Sequence, residues 1–241
     1  MKNKSISVII PCYNEEKKIF TCYNRISSFL DKYSFNYQIM FINDGSTDDS
    51  LAVMRAIQKK DFSGVNVITY KKNIGKGYAV FRGLSESVFN TKLILDCDLS
   101  ISINELYKLN WTWVRNKKVI KGQRIQVERQ PLYRIFVGKV WKFITYLFTG
   151  IYMDTQAPFM ILNLNNKFYK DLEINGFAFD VEILAKTKAE GFKIEQVSVE
   201  YRNDKDSSVT FIKTLKMLGE LYKIRKKTIR FQKNSTDSQS D

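Results

Sequence analysis

Short apolar runs rich in β-branched residues alternate with polar, helix-patterned stretches along the N-terminal half of the chain. The runs at 6–10, 37–42, 65–70 and 92–95 read as buried strands, each followed by a polar segment that opens a helix. This alternation predicts an α/β fold around a mostly parallel sheet with helices on both faces. Ligands in such sheets sit beyond the carboxyl ends of the strands. The polar motifs fall at that edge: Pro11-Cys12-Tyr13-Asn14-Glu15-Glu16 after the first run, Asn43-Asp44-Gly45-Ser46-Thr47-Asp48 after the second, Asn73-Ile74-Gly75-Lys76-Gly77 after the third and Asp96-Cys97-Asp98 after the fourth.

Each loop carries usable chemistry. Asp96 and Asp98, one residue apart at a strand end, present hard oxygen ligands suited to Mg²⁺ or Mn²⁺. Asp44 can accept from a base N–H, Gly45 permits a tight turn, and Ser46 or Thr47 can cap a helix beginning near Asp48. Gly75-Lys76-Gly77 at a helix start offers backbone N–H groups and a point cation to a phosphate, without the full spacing of a phosphate-binding P-loop.

Farther along, 131–153 has helical periodicity. At about 100° per residue, Phe136, Val137, Val140, Trp141, Phe143, Ile144, Leu147 and Phe148 share one side, and Arg134, Lys139, Lys142 and Thr145 share the other; Ile135 falls on the wrong side. An aromatic, basic, amphipathic helix with cations in its middle suits a membrane interface rather than a span. A basic helix is expected over 211–231 and a disordered polar tail over 232–241, with a single domain over 1–210.

Composition narrows the chemistry. The 241 residues include no histidine, which removes imidazole bases, Ser-His and Cys-His nucleophilic pairs and His-ligated zinc. A formal charge of +14 points to an anionic partner: nucleic acid, an anionic membrane surface or a phosphorylated substrate. Nucleic acid is set aside, because the basic residues form no recognised motif and an acidic sheet edge repels phosphate. Three cysteines without paired spacing, and a start at Met1 that runs directly into a strand, predict a reducing location without a signal peptide or transmembrane helix.

The four ordered N-terminal motifs together resemble family 2 glycosyltransferases of GT-A fold. Gly122-Gln123-Arg124, Asp154-Thr155-Gln156-Ala157-Pro158-Phe159, Phe177-Ala178-Phe179-Asp180-Val181-Glu182-Ile183-Leu184, Val197-x-Val199-x-Tyr201-Arg202 and Asp206-Ser207-Ser208-Val209 look like the branch acting on polyprenyl phosphates. Departures are Asn43 where aspartate is frequent, Cys97 between the two acids, Ser100 in the place of a glutamine, and Ala157-Pro158 for Cys-Gly.

The resemblance implies a nucleotide sugar held by Pro11, Tyr13, Glu15, Asp44, Lys76, Gly77 and Asp96, with a metal, Mg²⁺ or Mn²⁺, on Asp96 and Asp98. Arg124, Arg134 and Arg202 would hold an acceptor phosphate, and Asp154 is a residual base should the acceptor be a hydroxyl. Together with Asp96 and Asp98, Arg124 and Asp154 make the expected catalytic set. A phosphate monoester, with a second pKa of about 6, is already a nucleophile, so no base is required. The implied reaction is inverting transfer of a hexose, glucose from UDP-glucose before mannose from GDP-mannose, to a polyprenyl phosphate. The enzyme would sit at the cytosolic membrane face, peripherally or through a separate membrane protein. Transfer to a sugar hydroxyl of a glycan and a non-catalytic nucleotide-sugar-binding subunit are the competing readings.

Overall fold

A computed structural model describes residues 4–126, 132–202 and 216–228, with side chains masked only at 126 and 132–134 within those spans. Its centre is a seven-stranded sheet in the order β3-β2-β1-β4-β6-β5-β7. β1 (Lys4–Cys12), β2 (Phe35–Asp44), β3 (Val65–Tyr70) and β4 (Lys92–Leu95) are parallel, as the apolar runs predict. β6 (Phe159–Leu162) is inserted antiparallel between β4 and β5 (Val119–Gln126), and β7 (Ile194–Tyr201) closes the order parallel to β5.

Two apolar layers cover the sheet. On one face α1 (Glu16–Lys32), α2 (Ser50–Lys60) and α4 (Trp111–Arg115) bury Ile19, Ile26, Leu30, Met54 and Val114. The other face takes α3 (Lys76–Glu86), α5 (Leu132–Thr149), α6 (Asn166–Tyr169) and α7 (Phe179–Ala189), with Val80, Leu84, Trp141, Phe168 and Val181 inside. The helix over 216–228 adds Met217, Leu221 and Ile224 to this second layer, so the basic C-terminal stretch is amphipathic and packed where it is described. The expected tail over 232–241 lies outside the described residues.

α5 departs from its helical-wheel reading. Thr145, expected on the polar side, is fully buried, and Trp141 is buried beside it with its indole N–H donating to Thr155 Oγ1 at 3.3 Å. Apolar residues span so much of the circumference that they divide: Trp141, Ile144 and Phe148 pack on the core, while Phe136, Val140, Phe143 and Leu147 stand exposed as one stripe. Ile135 is exposed as well. Arg134 lies on α5, with its side chain outside the described residues.

Candidate active site

The loops at the carboxyl edge are stitched to one another. Asn14 N–H donates to Ser46 Oγ (3.0 Å), Thr47 N–H to Asn14 Oδ1 (2.9 Å), Glu15 N–H to Ser50 Oγ (2.8 Å) and Glu16 N–H to Asp48 Oδ2 (3.2 Å). Ser46 and Thr47 thus tie the β2–α2 loop to the start of α1 instead of capping α2, whose N-cap is Asp49. Pro11, next to last in β1, lies opposite Ile42, Tyr13 is exposed at the rim, and Glu15 pairs with Lys18 at 3.4 Å. Burial raises the Glu15 carboxyl from its ordinary value, and the nearby Asp98 adds to the rise against the pull of Lys18.

Asp44 is buried at the end of β2 and works as a latch. Its carboxylate accepts from Asn73 Nδ2 (2.9 Å), Ile74 N–H (2.8 Å) and Gly75 N–H (3.0 Å), so its oxygens organise the β3–α3 loop. Gly75, at φ +132°, and Gly77 allow that loop to lie against residues 174–176: a Cβ on Gly77 would sit 2.0 Å from Ile174 O. Gly77 N–H itself donates to Asn175 O at 2.8 Å. The backbone N–H cradle read from Gly75-Lys76-Gly77 is therefore spent inside the protein at Gly77, and the cation left for a phosphate is the Lys76 ammonium.

That ammonium lies 2.6 Å from Asp96 Oδ1 and 2.8 Å from Oδ2. Asp98 accepts from Ser100 N–H at 2.8 Å across a turn in which Leu99 adopts φ +50°. Burial, then the charge of Asp96, raises the Asp98 carboxyl. Asp96 Oδ1 is buried and, beyond its ammonium contact, lacks a well-aligned hydrogen bond. Two adjacent carboxylates against one ammonium, one of them resisting ionisation, is a corner that a divalent cation would relieve. Its hard oxygen donors fit Mg²⁺ or Mn²⁺. Among the described residues no third Cys, Asp or Glu is placed to complete a metal cage.

On the other side of β4, Arg124 grips Asp154 as a fork: Nε to Oδ2 at 2.7 Å and Nη2 to Oδ1 at 2.9 Å, with the Arg124 guanidinium 5.2 Å from the Tyr201 ring. Burial pushes the Asp154 carboxyl up, but Arg124 prevails and holds it below the usual range. Beneath this pair Lys121 and Asp180 form a buried ion pair at 3.3 Å, and Lys121 also donates to Ala157 O at 2.7 Å. Arg202, exposed at the end of β7, is placed by its N–H on Ser100 O (2.9 Å) and faces a cleft against α1. Arg124 is committed to Asp154, while Arg202 lines the cleft against α1.

Three features escaped the sequence reading. Asp180 and Glu182, quoted only as part of a motif, hold Lys121 and the N–H groups of Glu173 and Ile174, the segment against which Gly77 packs. Lys121 carried no signal except a charge within an otherwise apolar strand. Cys12, Cys22 and Cys97 converge under the Asp-x-Asp turn: bonds from the Cys12 and Cys22 thiols bring Cys97 down to about 5. All three are buried and form no disulfide.

Comparison with known proteins adds four findings. The family model described as Glycosyl transferase family 2 matches residues 7–168. A dolichyl-phosphate beta-glucosyltransferase of Mus musculus is 29% identical over 244 residues, spanning 92% of this chain and 75% of the relative. Among solved structures, glucosyl-3-phosphoglycerate synthase from Mycobacterium tuberculosis, in complex with Mn²⁺, UDP-glucose and phosphoglyceric acid, superposes with a TM-score of 0.65 at 18% identity, over 94% of this chain and 78% of that one. Mannosyl-3-phosphoglycerate synthase from Rubrobacter xylanophilus gives 0.64 at 14% identity, over 98% and 75%. The structural likeness establishes a shared fold.

Proposed function

The chain belongs to glycosyl transferase family 2, and on that premise we propose that it moves glucose from UDP-glucose onto the phosphate of a polyprenyl lipid, with Mg²⁺ or Mn²⁺. The mouse relative's named activity supports the sugar and the acceptor class, and the fold neighbour named with Mn²⁺ and UDP-glucose supports the donor and the metal. One observation carries the assignment at the level of residues: the Lys76–Asp96–Asp98 corner lies at the carboxyl edge of the sheet beside the latch made by Asp44.

In this reading Pro11, Tyr13 and Glu15 line the nucleoside, Asp44 sets the loop that borders it, and Lys76 holds diphosphate oxygens. A divalent ion bound at Asp96 and Asp98 supplies charge neutralisation to the leaving nucleoside diphosphate. An acceptor phosphate oxygen attacks the anomeric carbon as the bond to the diphosphate breaks, inverting the configuration. Arg124, held in one orientation by Asp154, faces the acceptor side as a fixed cation.

Asp154 argues for phosphate over hydroxyl. Attack by a hydroxyl requires a base with a pKa near the working pH, and Arg124 holds Asp154 in the opposite direction. A phosphate monoester brings its own charge. The exposed stripe of Phe136, Val140, Phe143 and Leu147 would seat the enzyme on the membrane interface, with Lys139 exposed on the adjoining flank. No helix among the described residues is long and apolar enough to cross a membrane.

The test is to incubate purified protein with radiolabelled UDP-glucose or GDP-mannose, Mg²⁺ or Mn²⁺, and a polyprenyl phosphate. Formation of a glucosylated lipid is expected from UDP-glucose. Absence of lipid-linked product with every donor would remove the acceptor assignment.

A further inference from the structure

The N-terminus of α3 is capped from another part of the chain. Its N-cap residue, Gly75, has no side chain to offer, and the N–H groups of Gly77 and Tyr78 instead donate to Asn175 O, at 2.8 and 3.4 Å. Lys76 is the first residue of α3, so the place of its ammonium over Asp96 depends on where the Asn175 carbonyl stands.

The segment that carries Asn175 is held in turn by the helix over 216–228. Glu220 is the one acid of that helix, against Lys216, Lys223, Arg225, Lys226 and Lys227, yet its carboxylate is turned onto backbone. Glu220 Oε2 accepts from Ala178 N–H at 3.1 Å, at the start of α7, where the N-cap residue has no acceptor of its own. Burial raises the Glu220 carboxyl, and its bonds from the Ala178 and Gly176 N–H groups pull the other way. Gly176 has no room for a Cβ, because Glu220 Oε1 occupies the place. The helix is itself well fixed: Met217, Leu221 and Ile224 lie in the core, and Lys227 reaches Glu173 and Glu182, each at 3.1 Å. No described hydrogen bond or ion pair joins Glu220 to Lys76 or Asp96, so any influence it has on that corner passes through residues 175–178.

We propose that Glu220 is a positioning residue for donor binding. By holding Gly176 and Ala178 it fixes the Asn175 carbonyl, and through that carbonyl the first turn of α3, so that the Lys76 ammonium stands where the diphosphate oxygens arrive. This rests on the reading of Lys76 as the ligand of the donor diphosphate. It makes the helix over 216–228 part of the donor site, although none of its side chains enters that site.

A double-variant cycle on the full chain tests the proposal, read by calorimetric titration with UDP and Mn²⁺ and by hydrogen exchange of the ligand-free protein over 74–79. Glu220→Ala should weaken UDP binding about tenfold, the scale of changes that act without touching the ligand, and should hasten exchange over 74–79. Glu220→Gln keeps an acceptor oxygen and should recover most of the affinity. In the Lys76→Met protein, Glu220→Ala should cost nothing further, because the cation it positions is gone. Two controls should keep both readouts at the parent level: Ile26→Val, which loosens the opposite apolar layer, and Arg225→Gln, exposed on the same helix. Matched melting curves, with Glu220→Gln as the milder variant, separate unfolding from loss of the bonds. An equal loss of affinity in the parent and Lys76→Met backgrounds, or a Glu220→Ala protein that binds UDP and exchanges like the parent, overturns the proposal. A parent that binds no UDP would instead remove the donor reading. Exchange over 74–79 then decides the positioning alone, and a rate unchanged by Glu220→Ala overturns it.

Discussion

Two ion pairs stand at the same edge of the sheet, Lys76 with Asp96 and Arg124 with Asp154, at similar depth, yet they are built for different work. The lysine spreads a point charge over both oxygens of Asp96, while Asp98 beside it makes no ion pair among the described residues and has its carboxyl raised by burial and by Asp96. The arginine meets Asp154 as a planar fork and is backed by a second, buried pair, Lys121 with Asp180. One corner is short of positive charge and the other is balanced, two cations against two carboxylates. A compact, mobile ammonium beside an excess of negative charge accommodates an arriving ion, whereas a locked guanidinium holds its shape. In the proposed reading, donor chemistry falls to the first kind of corner and acceptor positioning to the second.

Unbalancing the second corner gives the largest expected effect. Lys121→Met leaves Asp180 buried without its partner and should cost about 3–5 kcal/mol of stability, while Lys121→Met/Asp180→Leu should recover most of that loss. Urea denaturation of the three proteins reads both; a double variant no better than the single would show that the pair itself was not the cause. At the first corner, Asp98→Asn should lower turnover by about 10²–10³-fold, the range for losing an electrostatic stabiliser. Its melting temperature should stay level or rise, since an awkwardly buried charge disappears.

The fork is next in size. Asp154→Asn should cost about 1.5–3 kcal/mol at neutral pH, as a charged hydrogen-bond acceptor is lost. Because Asp154 titrates below its ordinary value, its contribution is present above the unfolded pKa of about 3.9. It fades as pH falls through the lowered folded value. Asp98, raised, has the opposite sign: protonation on acidification relieves a cost. Melting curves of parent and Asp154→Asn should therefore converge toward low pH, and a constant gap would contradict the assignment. Smallest in stability is Phe143→Ser/Leu147→Ser, within about 0.5 kcal/mol as exposed positions. The same change should sharply reduce sedimentation with anionic vesicles if α5 seats the acceptor corner on lipid.

Much of this edge was legible from sequence, and the reasons separate cleanly. The strands β1 to β4 announce themselves because buried parallel strands are continuous β-branched runs, and the loops after them carry the polar residues at the one place a parallel sheet leaves open. Phe159–Leu162 is equally apolar, but a short run buried on both faces reads the same in either direction, so the antiparallel insertion of β6 left no mark. Trp141 and Phe143 look alike on a helical wheel; which of them meets the core depends on Thr155 and on the sheet beneath. Asp44 stood out as a partner for a base N–H and Gly75 and Gly77 as part of a phosphate cradle, but that they also hold each other and the 174–176 backbone left no sign in the sequence. Lys121 and Asp180, far apart in sequence, are joined only by the fold.

The seating of Gly77 against Ile174 and Asn175 has a consequence for anyone who maps this enzyme by random substitution. Nearly every replacement at 75 or 77 would force apart two backbones that touch. The resulting dead variants would trace a sharp boundary around the donor corner, one drawn by steric volume and not by contact with sugar or nucleotide. Selection on this family's chemistry therefore edits that border through the main chain, leaving Lys76 between two positions at which no other side chain fits.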